Sequence, residues 1–501
     1  MFRNSSSRAR AMRLAAISCI VVLASGASYA AEARRTFERS LALSSGRVSV
    51  DNRFGNVNLK THQTGNVSIR ATIRTSAPSQ ELADQLLEGI GIVAESGAAG
   101  VIIRTDFPEG RLVRKERGST SFSVDYEISV PTAAAVTVKN RFGAVRVSGL
   151  QASSDITNAH GPVTFRDGRG AATIANAFGP VSVETNTGDM QINNSNGPVT
   201  VRNVGGAVTV SNRFGPVEGS GLSGSVTVAN SNSKVEIVDS TGNVTIANSF
   251  GPVGVARIRG DVTVANRHGS VEVRDAEGKA DLESSFGAIK FSNIRDDLRI
   301  EGQNSAVSGT TIGGNAIVST TFGAVNMSDV AGQARVTNQN GDVTLADVRN
   351  AATVDTRFGV VKLERIRGGA TVTNANGGVN LSGIGGAAIV KTTFGPVFLD
   401  GIAGRVSVEN QNGSIEFDDL AATSCRDIEL KTTFGSLIAR IPPAASYAVN
   451  ARTAFGKISS DIAISLTGEA SNNQLRGRIG QGSCIMDLQN QNGNIQIANR
   501  R

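Results

Sequence analysis

Residues Gly197–Phe214 read GPVTVRNVGGAVTVSNRF, one copy of an 18-residue unit that repeats along most of the chain. Its first glycine recurs at 143, 161, 179, 215, 251, 269, 287, 323, 341, 359, 377, 395 and 413. Ser233 and Ser305 fill the two gaps, so the register runs for fifteen intervals of 18 without insertion or deletion. A fixed period of this length marks a solenoid, in which each unit packs only on its neighbours. Within the unit, Val199 and Val201 alternate, Val204 follows after a three-residue step, and Val208, Val210, Asn212 and Phe214 alternate again. Period-2 spacing places such side chains on one face of a strand. Arg202-Asn203 and Gly215-Pro216 break the alternation and read as corners, with Gly206 a third possible bend. The expected coil is a short strand, a corner, a longer strand and another corner, each strand pairing with its copy about 4.8 Å away. The fold class is therefore an all-β, single-stranded parallel β-helix, expected to be right-handed, with 18-residue coils and caps at both ends.

The columns formed by stacking the units sharpen this. Val145, Val163, Val181, Val199, Val217, Val235, Val253 and Val271 form an aliphatic file suited to a core. Asn212 stacks with Asn176, Asn194, Asn230 and Asn248. An inward asparagine is costly unless its amide is bonded, and a ladder of amides bonding one another along the axis is the expected solution. The next column alternates: His160, Phe178, Asn196, Phe214, Asn232, Phe250, His268, Phe286. The period is thus 36, two coils. Phe178, Phe214 and Phe250 are expected inside, spaced by smaller residues so that rings do not crowd in adjacent layers. His160 and His268 then fill core positions and are not candidate ligands.

Outward from the array, residues 1–30 carry Arg3, Arg8, Arg10 and Arg13, then the apolar run Leu14–Ala24, then Ser28-Tyr29-Ala30. This is the pattern of a secretory signal cleaved between Ala30 and Ala31. The run is too short for a membrane span of about 20 residues, and no later segment is long or apolar enough, so no transmembrane span is expected after cleavage. Ile17-Ser18-Cys19 makes a poor lipoprotein signal. Residues 31–140 read as an N-terminal cap related to the repeats but out of their register, with one short helix over Ser79–Gly89 capped by Ser79. Residues 141–420 are the regular array. Residues 421–501 hold longer, irregular coils and a C-terminal cap. Cys425 and Cys484, the two cysteines left after cleavage, suit one disulfide in an oxidising compartment. Their separate coils equally allow two unpaired thiols.

The chain has 50 basic and 43 acidic residues, a formal charge of +7 that falls to +3 without the first thirty. Its charges are scattered, without the basic stripe that nucleic-acid binding needs. No nucleophile elbow, metalloprotease helix, phosphate loop or calcium nonapeptide occurs. Glu218, Glu236 and Glu272 share an outward column, but irregularly, as on a solvated face. Thr209, Thr227, Thr245 and Thr263 form a short outward file of β-favoured residues. No catalytic, cofactor or metal site is expected.

Asn52-Arg53-Phe54-Gly55, the strand ending Ile128-Ser129-Val130-Pro131 before Val136-Thr137-Val138, the repeated Asn-x-x-Gly-x-Val units and the closing Gln491-Asn492-Gly493-Asn494-Ile495 carry a resemblance. Over roughly residues 45–499 the chain resembles a bacterial β-strand-repeat family of unknown function labelled "putative adhesin". The resemblance implies an exported cell-envelope protein folded as a β-helix, and with no catalytic cluster in the sequence the expectation is a non-enzymatic cell-envelope or surface β-solenoid, in the periplasm, at the cell surface or outside the cell. Its partner would be a surface glycan or an envelope protein. Two other readings are a carbohydrate-active β-helix enzyme, which needs carboxylates and a basic residue converging on one outer sheet, and an envelope-stress regulator acting through a protein partner.

Overall fold

The computed structural model describes residues 30–107, 120–419, 426–467 and 471–500. Its body is a parallel β-solenoid whose coils follow the repeat. In one coil, strand Val199–Val204 pairs with Val181–Asn186 before it and Val217–Leu222 after it. Strand Val208–Phe214 pairs likewise with Met190–Asn196 and Val226–Asn232. Two long sheets result, and the aliphatic columns between them form one core cluster continuous from Val48 to Ile497.

Each corner has its own backbone device. Asn203 is left-handed, at φ 55°, which turns Arg202 and Asn203 both outward before Val204 re-enters the core. That column holds Asp167, Thr185, Asn203, Asp239, Arg257, Asp275, Asn293, Thr311, Asp329, Asp347 and Arg365, all at positive φ, and Gly221, Gly383 and Gly401. Asn, Asp and Gly suit this conformation; Thr and Arg bear a steric cost there. The corner glycine is fixed by contact as well as by φ. A Cβ on Gly215, at φ 128°, would sit 2.3 Å from the Gly197 carbonyl oxygen. Ser233 keeps the glycine-like φ of 125°. Ser305 solves the problem differently. It is buried, its hydroxyl donates to the Ser284 carbonyl at 3.3 Å, and Gly302, standing where other coils have Asn or Thr, leaves it room.

Both ends are closed by antiparallel strands, and both depart from the linear order of the sequence. Strands Arg47–Phe54 and Val57–His62 form a true coil in repeat register, with Asn52 opposite Asn140 and Phe54 opposite Phe142. The expectation that 31–140 lies out of register is corrected to this extent. The offset of 88 residues arises because the intervening segment folds aside. Ala31–Ala42, which precedes the coil, and Ser121–Pro131, which follows it, flank Asn66–Ala77 antiparallel. The helix is Gln80–Glu88, with Ser79 Oγ accepting from the Leu82 N–H and Gly89 at its end. The exposed edge strand Ala31–Ala42 carries Glu32, Arg34, Arg35, Glu38 and Arg39, charges that discourage pairing with another chain.

At the other end the last coil is threaded inward. Cys484–Asn492 lies between Ile428–Phe434 and Tyr447–Phe455, and Ile495–Asn499 between Leu437–Ile441 and Ile458–Ser460. Gln474–Ile479 then covers Tyr447–Phe455 antiparallel. Beneath this cap, Arg426 and Asp419 are both buried and ion-paired, and the Tyr447 hydroxyl donates to Asp419 Oδ2 at 3.0 Å. Burial pushes the Tyr447 phenol up and lowers the Arg426 guanidinium.

Candidate functional surface

The corner Asn212-Arg213-Phe214-Gly215 builds the most distinctive surface of the rod. Asn212 is buried, and its amide donates to the carbonyls of Gly215 at 2.9 Å and Gly197 at 3.3 Å. Asn248 does the same to Gly251 and Ser233, while Asn176, Asn194 and Asn230 donate to Gly179, Gly197 and Ser233. The asparagines therefore stack in register, but the expected amide-to-amide ladder is not what holds them. Each of these amides caps corner carbonyls of its own coil or the preceding one, and among the described residues of this column only Asn140 reaches a neighbouring amide oxygen, that of Asn158. The reason lies in the corner itself. Among the described residues these corner carbonyls take no backbone N–H, whether proline follows the glycine, as at Gly215, or not, as at Gly341, so each must find a side-chain donor. Thr320 and Thr432 do this with a hydroxyl.

Because the asparagine takes the inward position at the corner, the residue two further on cannot. Phe178, Phe214 and Phe250 are 50, 49 and 50% exposed. The expectation that they fill the core is overturned: they form a ridge along the outside of the rod. His160 and His268 are half-buried in that ridge, not in the core. His160 stacks between Phe142 and Phe178 at 4.6 and 4.9 Å, and His268 between Phe250 and Phe286 at 4.8 and 5.0 Å. Crowding does not enforce the alternation either, since Phe54 and Phe142 stack at 5.2 Å in adjacent coils.

Beside the ridge runs an open groove of about 890 Å³, floored by small side chains such as Ala175, Ser211, Ala229 and Ala247, with Arg213 and Arg267 among its lining residues. The outward carboxylates Glu218, Glu236 and Glu272 are ion-paired. Lys234 bridges Glu218 and Glu236, and its own ammonium is pushed up mainly by its hydrogen bond to Glu236. Arg274 holds Glu272, and Arg440 holds both Glu416 and Asp418. Arg257 and Arg365 grip Asp239 and Asp347 of the preceding coil with two bonds each, which lowers both carboxylates. These are solvated pairs, which contribute little to stability. Among the described residues no group of three or more His, Cys, Asp or Glu is placed to hold a metal, and no helix is long and apolar enough to cross a membrane. Cys484 is disulfide-bonded; Cys425, its expected partner, lies outside the described residues, as does the segment before the expected Ala30/Ala31 junction.

Residues 296–498 match the family model Toastrack DUF4097. This is a β-repeat family of unknown function, and the chain is similar to it over the second half of the array and the C-terminal cap. The Toastrack match is shorter than the likeness read from the sequence, which began near residue 45. A solved structure described as a "putative cell adhesion protein" from Clostridium sporogenes ATCC 15579 aligns with 46% of this chain and 100% of its own, at 10% identity and a TM-score of 0.17. A likeness that slight carries no argument. No curated protein matches the chain.

The sequence reading missed three features. The left-handed column was visible as the Asx-rich step after Arg202, but its Thr and Arg members hid it. The outward turn of Phe214 was signalled by the glycine next to it. The inward threading of the last coil left only a cue, the motif returning at Asn490-Gln491-Asn492-Gly493.

Proposed function

We propose that the protein is an exported, non-enzymatic rod of the cell envelope or surface, acting in adhesion or scaffolding. The observation that carries this is the external ridge of phenylalanines repeating every second coil on a rigid parallel core. Half-exposed aromatic side chains in a long row are unusual on a free surface and suit contact with a partner. The charged N-region and short apolar run of residues 1–30 support export. An enzyme would need unpaired carboxylates converging on an outer sheet, whereas Glu416 and Asp418 are both engaged by Arg440. Fold alone does not decide function, so the reading stands on the ridge. Binding of the purified protein to whole cells and to arrayed glycans tests it. Wild type should bind, and Phe178→Ser, Phe214→Ser and Phe250→Ser combined should abolish binding while leaving the circular dichroism unchanged. Equal binding by the variant would remove the ridge from the function.

A further inference from the structure

The ridge is not uniform, and its second half contains regular gaps. Phe286, Phe322, Phe358, Phe394 and Phe434 are each about half exposed. Between them stand Asn304, Asn340, Asn376 and Asn412, one coil from each ring. Two observations show what such a gap can hold. His160 and His268 occupy equivalent positions and lie parallel to both neighbouring rings, within 3–7°. Phe54 and Phe142 show that a phenylalanine in every coil would also fit. Asparagine is thus not forced by space, and it leaves ring faces uncovered. The amides of Asn196 and Asn340 are drawn back to the main chain, to the Ala177 carbonyl at 3.3 Å and that of Thr321 at 3.5 Å. An asparagine side chain is also shorter than a phenylalanine's, so it cannot cover the outer part of the ring faces on either side, and the rings are about half exposed.

We infer that these slots receive the phenylalanine rings of a second copy of the chain, two rods pairing antiparallel along the ridge from Phe286 to Phe434. An occupant of successive slots must offer a planar group every two coils, about 9.6 Å. A second copy has that spacing by construction. A two-fold axis across the rods, set midway between a phenylalanine layer and an asparagine layer, sends every ring into a slot of the other copy. This contact is isologous and closes on itself. Parallel pairing about an axis along the rods would set ring against ring. A polysaccharide lying along the ridge would meet ring edges, because the stacked rings turn their faces along the rod axis. The flanks of this half are mostly uncharged, with Ala306, Ala324, Thr321, Ala375, Gly378 and Thr393 beside the rings and Arg357 and Asp342 the charged members. In the first half His160 and His268 fill two of the four slots, leaving only Asn196 and Asn232 open, and Arg213, Lys234 and Arg267 line the ridge, so the unbroken run of open slots lies in the second half.

Sedimentation equilibrium of the purified protein tests this. Wild type should dimerise reversibly. Asn304→His, Asn340→His, Asn376→His and Asn412→His together plug the slots with the residue native to two other coils. They should weaken dimerisation by about tenfold or more even though the surface becomes more aromatic. Phe322→Ser, Phe358→Ser and Phe394→Ser together should do the same. Should the serine variant misfold, the histidine variant decides alone. A wild type that stays monomeric, with or without glycan binding, overturns the inference, as does a histidine variant that dimerises as tightly as wild type. Loss of cell or glycan binding with the dimer intact would strike the adhesion reading and not this one.

Discussion

The array from Gly143 to Gly413 and the cap from Asp419 to Arg500 are made of the same coils, yet they hold together in opposite ways. In the array the same contacts recur with small variations: up to five aliphatic side chains per coil, a corner amide or hydroxyl in most coils, one left-handed turn. No single residue is decisive, because stability is a sum of similar neighbour interfaces. In the cap nothing recurs. A buried ion pair, a buried tyrosine and an inserted terminal coil each occur once. The comparison teaches that a solenoid of this kind spreads its risk along the body and concentrates it at the ends.

The largest effect is therefore expected in the cap. Asp419→Ala strands a buried guanidinium and a buried phenol, and should cost about 3–5 kcal/mol. Hydrogen exchange should show the loss confined to residues beyond about 426, with the array unchanged; uniform loosening along the rod would break the comparison. The N-terminal end offers the next test. Tyr126 is fully buried against Thr105, and desolvation raises its phenol to about 12. A raised acid of this kind contributes stability that is complete below its ordinary value near 10 and is lost as pH climbs through about 12. Exchange in the 66–131 segment should therefore accelerate between pH 10 and 12 more than in the array, and Tyr126→Phe should remove that difference. In the array, Asn212→Ala should cost only about 1–2 kcal/mol, since two corner carbonyls lose one donor, and Asn212→Thr should restore part of it, as Thr320 does natively. Urea titration followed at the neighbouring coils would measure both. The smallest expected change is a gain. Thr311 is β-branched at φ 64°, where its column elsewhere accepts glycine, and Thr311→Gly should stabilise its coil by about 1 kcal/mol. A loss of stability on that substitution would show that the side chain, and not the backbone, governs the turn.

The body of the fold was legible because period-2 alternation and an unbroken 18-residue register leave one arrangement in which every valine is covered. Val199, Val201, Val204, Val208 and Val210 all lie where their spacing puts them. Alternation failed at Phe214 because periodicity assumes a straight strand, and the amide of Asn212 together with Gly215 bends it one residue early. That failure hid the ridge, which is the surface that matters most for function. The cap was illegible for a different reason. Whether Cys484–Asn492 precedes or follows Tyr447–Phe455 in space depends on which edge each strand covers, and the two strands carry the same local pattern. The pairing of Arg426 with Asp419 and Tyr447 is likewise a product of three separate segments, invisible to any window along the chain.

The inward threading of the last coil has a consequence in time. The strands Ile428–Phe434 and Leu437–Ile441 pair on one side with Val406–Asn412 and Ile415–Asp418, and receive their neighbours on the other side only from residues 484–499. Until synthesis reaches that point the growing rod ends in a bare sheet edge, however many coils have already zipped together behind it. A chain cut short before residue 484 therefore keeps that edge open, and the unpaired strand marks it as unfinished.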